Sequence, residues 1–106
     1  MVRRGDIWLT ELEPVRGSEI RKTRPCVIIS PPEIHDHLRT AMVAPMTTGS
    51  KPARYRIAMR FQDKEGLILL DQLRAADKSR LVRRLGKLNA ETLGQTLAVL
   101  REMFAD

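Results

Sequence analysis

The sequence is poor in the residues that build covalent or metal-centred sites. It contains one cysteine, Cys26, so an internal disulfide is excluded. Its two histidines, His35 and His37, lie in a predicted loop, whereas a metal site usually needs three or four ligands of compatible type. Carboxylates could complete a hard-cation site, but their spacing does not indicate one. We therefore expect no metal and no cofactor. The apolar, β-branched neighbours of Cys26 predict a buried structural thiol.

Long apolar runs are also missing. None approaches the ~18 residues that span a bilayer, and the N-terminal stretch MVRRGDIWLT lacks the apolar segment of a signal peptide. We therefore expect no membrane association and a cytoplasmic protein. The chain has 106 residues, of which 42% are apolar and 30% charged. These values predict a single domain, residues 1–106, with one modest core.

Positive charge, by contrast, is in excess. There are 19 Lys and Arg residues against 13 Asp and Glu, which gives a net charge of +6, and most of the 19 are arginine. Arginine pairs with phosphate through two hydrogen bonds and stays charged at any biological pH. A small, basic, Arg-rich domain indicates a nucleic acid or an acidic protein as its partner.

The hydrophobic pattern predicts a mainly β, barrel-like domain that ends in a helix. Strands are predicted at 6–12, 24–30, 40–46, 54–61 and 67–75, with the turn before the last of them at the sequence KEG (64–66). One helical turn is predicted within 31–39, and a helical turn with a short strand within 77–88. Asn89 is predicted to cap the terminal helix. The apolar stripe of this helix is predicted to be core or interface: Leu93, Leu97, Leu100 and Phe104.

The segment RGSEIRKTRPCVIIS (16–30) changes from basic and polar to apolar at Pro25. Because it precedes a proline, Arg24 is expected to be extended, and the apolar residues after it are expected to form a core strand. A guanidinium on a rigid strand can be aimed at a phosphate and can stabilise the charge of a phosphorane-like transition state. A structural ion pair would explain the same residue, and the residues alone do not decide between the two.

Polar residues also interrupt apolar segments elsewhere. Thr47 and Thr48 bring hydroxyl donors to a strand end, and Ser50 and Lys51 add a further donor and a charge. A second set lies inside the strand predicted at 67–75, where burial is costly unless the groups are paired or functional: Asp71, Gln72 and Arg74.

Aromatic residues are scarce, at 4% of the chain. Tyr55 stands between Arg54 and Arg56, an arrangement that suits base stacking beside phosphate contacts. An aromatic side chain packed in a sheet between two solvated arginines fits the same pattern equally well.

Four stretches, in order and with consistent spacing, resemble the MazF/PemK/Kid family of bacterial toxins. They are RGDIWLTELEPVRGSE (4–19), KTRPCVIIS (22–30), VAPMTTGSKPARY (43–55) and LLDQLRAADKSRLVRRLGKL (69–88). A short motif such as TRP carries little weight alone, but the ordered set covers nearly the whole chain. On this resemblance the chain is identified as a member of the family.

The resemblance implies an SH3-like β barrel with a C-terminal helix that acts as a homodimer. It also implies the toxin of a type II toxin–antitoxin system, an endoribonuclease that cuts single-stranded RNA (mRNA) at short sequences without a metal. In that reaction the ribose 2′-OH attacks the phosphate and leaves a 2′,3′-cyclic phosphate and a 5′-OH end. RNA thus supplies the nucleophile, and the protein needs none of its own.

The resemblance assigns two catalytic residues, Arg24 before its proline and Thr47 at a strand end. Arg24 would neutralise the charge that develops on the phosphorane and protonate the departing 5′ oxygen, while Thr47 would hydrogen-bond a nonbridging oxygen. A guanidinium is a poor base because it holds its proton at any biological pH. Glu19 and Asp71 are therefore the candidate general bases, with Ser18 beside them as a supporting residue.

RNA is expected to lie in a basic groove around these residues. Arg21 and Lys22 belong to a loop that, by resemblance, closes over the substrate and contacts its phosphate backbone. The Kid branch has a His where this chain has Ser18 and an Arg where it has Leu69, so the MazF-like scheme with Arg24 and Thr47 fits better. The residues assigned to RNA binding are Arg21, Lys22, Thr48, Ser50, Lys51, Arg54, Tyr55, Gln72 and Arg74.

Other functions and partners follow from the same resemblance. One alternative is a gyrase poison, whose relatives carry a Trp-Gly pair at the end of the helix. This chain has the sequence REMFAD there and lacks the pair, which argues against that function. A module that only binds nucleic acid or antitoxin is a second alternative, against which the presence of both catalytic residues argues. An acidic antitoxin with a tail that folds on binding is expected to compete with RNA for the basic groove. The toxin–antitoxin complex is expected to bind operator DNA chiefly through the antitoxin.

Overall fold

The computed structural model of the protein describes residues 1–12, 23–49 and 51–106. Within them the chain forms β1 Asp6–Glu11, β2 Thr23–Ile28, α1 Pro32–His35, β3 Thr40–Thr47, β4 Arg56–Phe61, β5 Lys64–Leu69, β6 Arg74–Asp77, β7 Leu81–Lys87 and α2 Ala90–Met103. Two 3-10 turns, Leu70–Gln72 and Lys78–Arg80, precede β6 and β7. This confirms the mainly β architecture with a C-terminal helix.

The strands pair antiparallel in the order β4–β5–β3–β2–β1–β7, and β6 pairs with β3. The long strand β3 contacts three others, because residues 43–45 pair with β2, residues 40–43 with β6 and residues 46–47 with β5. A Cβ added to Gly86 of β7 would stand 3.5 Å from the Phe61 ring of β4. The two outer strands of this order therefore approach each other, and the sheet curls into the predicted barrel-like shape.

Strand β2 is buried on both of its faces, which explains its continuous apolar run. Successive side chains of a strand point to opposite faces. Val27 accordingly packs in the cluster that α2 covers, whereas Cys26 and Ile28 pack in a second cluster on the other face. None of the three side chains is exposed. The backbone of β2 is thus fixed from both sides.

Helix α2 begins where the sequence predicts. The Asn89 side chain accepts a hydrogen bond from the Thr92 backbone N–H at 2.8 Å and caps the helix. Phe104, predicted with the apolar stripe, is the C-cap residue and is 73% exposed, so it does not belong to the core. The rest of the stripe packs against the core as predicted: Leu93, Leu97 and Leu100.

The single strand predicted at 67–75 is wrong. Strand β5 ends at Leu69, the 3-10 turn Leu70–Gln72 follows, and β6 begins at Arg74. The turn exposes Asp71 and Gln72 while Leu70 stays fully buried. The polar residues therefore leave the core in a turn and do not interrupt a buried strand.

The turn predicted at 64–66 is also misplaced, because Lys64 is the first residue of β5. The chain reverses at Gln62 and Asp63, which have φ values of 52° and 61°. Phe61 pairs directly with Lys64, so the hairpin has a two-residue loop. Positive φ at both central residues is typical of a type I′ turn, which usually contains glycine. This turn has none, so the sequence lacks the usual signal.

Candidate active site

Arg24 stands near the start of β2 with its backbone held by the sheet. It pairs with Thr10 of β1, and the strand is fully buried from Cys26 to Ile28. The Arg24 side chain is half-buried. The predicted extended conformation before Pro25 is confirmed, and the Arg24 side chain extends from a backbone that the sheet holds in place.

Thr47 is the last residue of β3 and is held by the neighbouring strand β5. It pairs with Leu67 of β5, and its carbonyl oxygen lies 2.8 Å from the point where a Cβ on Gly66 would stand. A side chain on Gly66 would clash at this distance, so the close approach requires glycine. The Thr47 Oγ1 accepts a hydrogen bond from the Gly49 N–H at 3.3 Å, so the hydroxyl can donate its own proton elsewhere.

Arg24 and Thr47 line one open cleft of about 280 Å³, because the start of β2 lies beside the end of the antiparallel strand β3. Thr48 lies in the same cleft. The other residues that line it are Pro25, Met46, Met59, Phe61, Gln62, Lys64 and Gly66. Cations, hydroxyl donors and an apolar wall together suit a phosphodiester with a base attached. The sequence does not single out Gln62 and Lys64, because the hairpin turn determines their place.

Asp71 does not line this cleft and is held by an arginine. Arg56 donates from Nε and Nη2 to the two carboxylate oxygens of Asp71, at 3.1 and 3.0 Å. These hydrogen bonds are the main reason why the pKa of Asp71 lies below its usual value and that of Arg56 above. A carboxylate with a lowered pKa is a weaker base, so the pair reduces the suitability of Asp71 as a general base.

Arg54 is also bound to a carboxylate. Its Nε donates to Glu102 Oε1 of α2 at 3.2 Å, Nη2 contacts the same oxygen, and the guanidinium carbon lies 5.3 Å from the centre of the Tyr55 ring. The hydrogen bonds to Glu102 are the main cause of the raised pKa of Arg54. RNA that binds Arg54 must therefore replace an existing, exposed ion pair.

The other predicted RNA contacts are dispersed. Arg74 is half-buried and pairs with Val43 through β6, close enough to Cys26 to act on its thiol electrostatically, as Arg24 also does. Gln72 and Lys51 are exposed and, like Arg74, do not line the cleft. The remaining assignments lie outside the described residues: Ser18, Glu19, Arg21, Lys22 and Ser50.

Cys26 and the histidines have structural surroundings. Burial raises the pKa of the Cys26 thiol to about 11, so the thiol is protonated and inert at neutral pH, which confirms the predicted buried cysteine. The buried His35 Nδ1 and the Ser30 hydroxyl are hydrogen-bonded at 2.9 Å. Within residues 1–12, 23–49 and 51–106, no three His, Cys, Asp or Glu side chains cluster closely enough to hold a metal ion.

No helix within the described part of the chain is long and apolar enough to cross a membrane.

Comparison with known proteins agrees with the geometry. Residues 3–104 match the family model described as PemK-like, MazF-like toxin of type II toxin-antitoxin system. The curated Endoribonuclease MazF of Staphylococcus epidermidis is 38% identical over 91 residues, which cover 80% of this chain and 76% of the relative.

Solved structures share the fold. The MazE–MazF crystal structure from Deinococcus radiodurans contains a chain that aligns with a TM-score of 0.83 and 21% identity, over 96% of this chain and 94% of the other. A mycobacterial endoribonuclease in complex with its cognate antitoxin aligns with a TM-score of 0.79 and 20% identity, over 96% and 93% of the two chains. The match of the family model over nearly all of the sequence, together with the curated relative, shows that the chain belongs to the PemK-like, MazF-like toxins of type II toxin–antitoxin systems.

Proposed function

We propose that this toxin is a metal-independent, sequence-specific endoribonuclease that cleaves single-stranded mRNA. The main support is the convergence of Arg24 and Thr47, from two neighbouring strands, on one open cleft. The curated relative at 38% identity is named an endoribonuclease. We also propose that residues 1–106 act as a single toxin domain, which the match of residues 3–104 to one family model supports.

In the proposed reaction the ribose 2′-OH attacks the adjacent phosphate. A bond forms between the 2′ oxygen and phosphorus, the bond to the 5′ oxygen breaks, and the products are a 2′,3′-cyclic phosphate and a 5′-OH end. Arg24 neutralises the charge on the phosphorane and donates a proton to the leaving oxygen, while Thr47 donates a hydrogen bond to a nonbridging oxygen. Both donors are held by the sheet before RNA arrives, which is the condition for effective electrostatic stabilisation.

Glu19 and Asp71 remain the candidate bases for the 2′-OH proton, with Ser18 as support. The ion pair with Arg56 lowers the pKa of Asp71 and makes it a weaker base than an unpaired carboxylate. We therefore prefer Glu19 as the general base.

The toxin works in the cytoplasm as a homodimer and is neutralised by an acidic antitoxin. Structural neighbours include a complex with a cognate antitoxin and MazE–MazF complexes, and a net charge of +6 favours an acidic partner. The antitoxin occupies the basic groove in place of RNA, and the complex binds operator DNA chiefly through the antitoxin.

Cleavage of a long single-stranded RNA in EDTA, by the wild type and by Arg24→Ala, tests the function. Mapping the fragment ends should give discrete cuts with 5′-OH ends for the wild type and none for the variant. An intact RNA with folded wild-type protein would contradict the nuclease function and favour a binding module or a gyrase poison. Equal cutting by Arg24→Ala would contradict the catalytic assignment.

A further inference from the structure

The β4–β5 hairpin turn has a conformation that Gln62 does not favour. Gln62 and Asp63 both have positive φ, a region that aspartate tolerates but in which glutamine is strained and glycine is not. Strained backbone of this kind is concentrated at binding and catalytic sites. The turn places Gln62 on the wall of the cleft that contains Arg24 and Thr47, whereas Asp63 does not line that cleft.

Gln62 and Lys64 are both available to a ligand. Both are exposed, and neither side chain has a hydrogen bond or an ion pair within the residues that the structure describes. Arg54 and Arg56, by contrast, are each bound to a carboxylate. Lys64 is thus a cation of the cleft wall that no described carboxylate neutralises.

Beside these polar groups the hairpin supplies an apolar surface. Met59 and Phe61 line the same cleft and are half-buried, and Pro25 lines it from the β2 side. Bases of single-stranded RNA stack on aromatic and apolar side chains. A volume of about 280 Å³ is near the lower limit, ~300 Å³, of small-molecule pockets, which suits one nucleotide better than a longer segment.

We propose that the β4–β5 hairpin forms a nucleotide subsite next to the scissile phosphate. In it Gln62 reads the edge of one base, since its amide offers both donor and acceptor, and Lys64 binds a backbone phosphate. The base itself stacks against Phe61. The inference rests on the proposed nuclease function and adds a specificity-determining residue to it.

The turn offers a matched pair of variants, Gln62→Gly and Asp63→Gly. Each places glycine at a position of positive φ, so both should keep or raise the thermal midpoint. Only Gln62→Gly removes a group from the cleft. We expect its cuts, mapped on a long single-stranded RNA in EDTA, to lose at least fivefold discrimination at one base beside the cleavage site. Asp63→Gly should keep the wild-type motif and rate.

A second pair tests the phosphate contact. Lys64→Gln and Lys87→Gln remove the same charge, and Lys87 is exposed outside the cleft. We expect Lys64→Gln to raise KM several-fold at every cleavage motif and to reduce the slope of log KM against log salt by about 0.7, the value for one phosphate of a single strand. Lys87→Gln should leave both unchanged.

The outcomes separate this inference from the function on which it rests. A wild-type enzyme that cuts, together with a Gln62→Gly variant that keeps the full motif, would overturn the base-reading role of Gln62. Equal effects of Lys64→Gln and Lys87→Gln would overturn the phosphate contact. Folded wild-type protein that cuts no RNA would remove the proposed function and the subsite with it.

Discussion

The carbonyl oxygen of Thr47 lies against the bare α-carbon of Gly66, only 2.8 Å from where a Cβ would stand. Real Cβ atoms do not approach a backbone oxygen so closely, so glycine at position 66 allows β5 to hold the end of β3 in its place. The last residue of β3 carries the hydroxyl of the candidate site. The position of that hydroxyl therefore depends on the absence of a side chain on the next strand.

We predict that Gly66→Ala displaces Thr47 and impairs both stability and cleavage. The new methyl group meets backbone, which cannot move aside as a flexible side chain would. Overpacking of this kind costs about 1–3 kcal/mol, and a shift of about 1 Å in a catalytic group can cost about 100-fold in rate. Urea unfolding and kcat for RNA cleavage measure the two effects. Gly49→Ala is the control, because a Cβ there meets nothing within 4 Å. Equal behaviour of the two variants would contradict the explanation.

We predict that Thr47→Val lowers kcat by about 100-fold, because it keeps the branched shape but removes the hydroxyl that, in the proposed mechanism, is a preorganised donor to the phosphoryl oxygen. Thr47→Ser keeps the hydroxyl and should lose less than about tenfold on the same scale. The half-exposed strand end should keep its stability within about 0.5 kcal/mol in both variants. Single-turnover cleavage isolates the chemical step. Comparable rates for Val and Ser would exclude a role for the hydroxyl.

Sequence reasoning locates the strands that carry Arg24 and Thr47 because their signals are local. A proline after Arg24 and the buried run behind it predict an extended, anchored residue, and the structure has that arrangement. The placement of Gln62 and Lys64 depends on a turn without glycine, for which the chain carries no local signal. That Asp71 is bound by Arg56, 15 residues away, depends on the tertiary fold, which one sequence does not display.

We predict that Asp71→Asn keeps most of the cleavage rate, with a loss below about tenfold, and keeps the acidic limb of the pH–rate profile. The Asp71 carboxylate does not line the cleft, and both of its oxygens already accept hydrogen bonds from Arg56. A general base would behave differently, since its removal would abolish that limb. Disappearance of the limb in Asp71→Asn would return Asp71 to the catalytic machinery.

The same pair predicts a pH dependence of stability. Hydrogen bonds from Arg56 lower the pKa of Asp71 in the folded chain, so the folded state is stabilised fully above the ordinary value, about 3.9. The contribution is lost as the pH falls through the lower folded value. The difference in unfolding free energy between wild type and Asp71→Asn should be constant from about pH 7 to 5 and should shrink below about pH 4. A difference that stays constant on acidification would show that the pair is not formed, because an unshifted pKa gives stability no pH dependence, and a difference that grows would show that the pKa is raised instead.

We predict that Glu102→Gln strengthens RNA binding by releasing Arg54. In the wild type the guanidinium is bound to Glu102 and lies over Tyr55, so an RNA phosphate must displace the carboxylate. KM should fall about two- to fivefold at low salt, which is the scale of an exposed ion pair. The decrease should become smaller at higher salt, because salt screens the interaction between Arg54 and the RNA phosphate. Glu91, in the first turn of α2, pairs with no arginine among the residues that the structure describes, so Glu91→Gln removes the same charge without freeing one of them. Any greater gain in Glu102→Gln therefore reports Arg54 itself. In an Arg54→Gln background the excess gain should vanish; if it persists, Glu102 acts on RNA through long-range repulsion and Arg54 is not a contact.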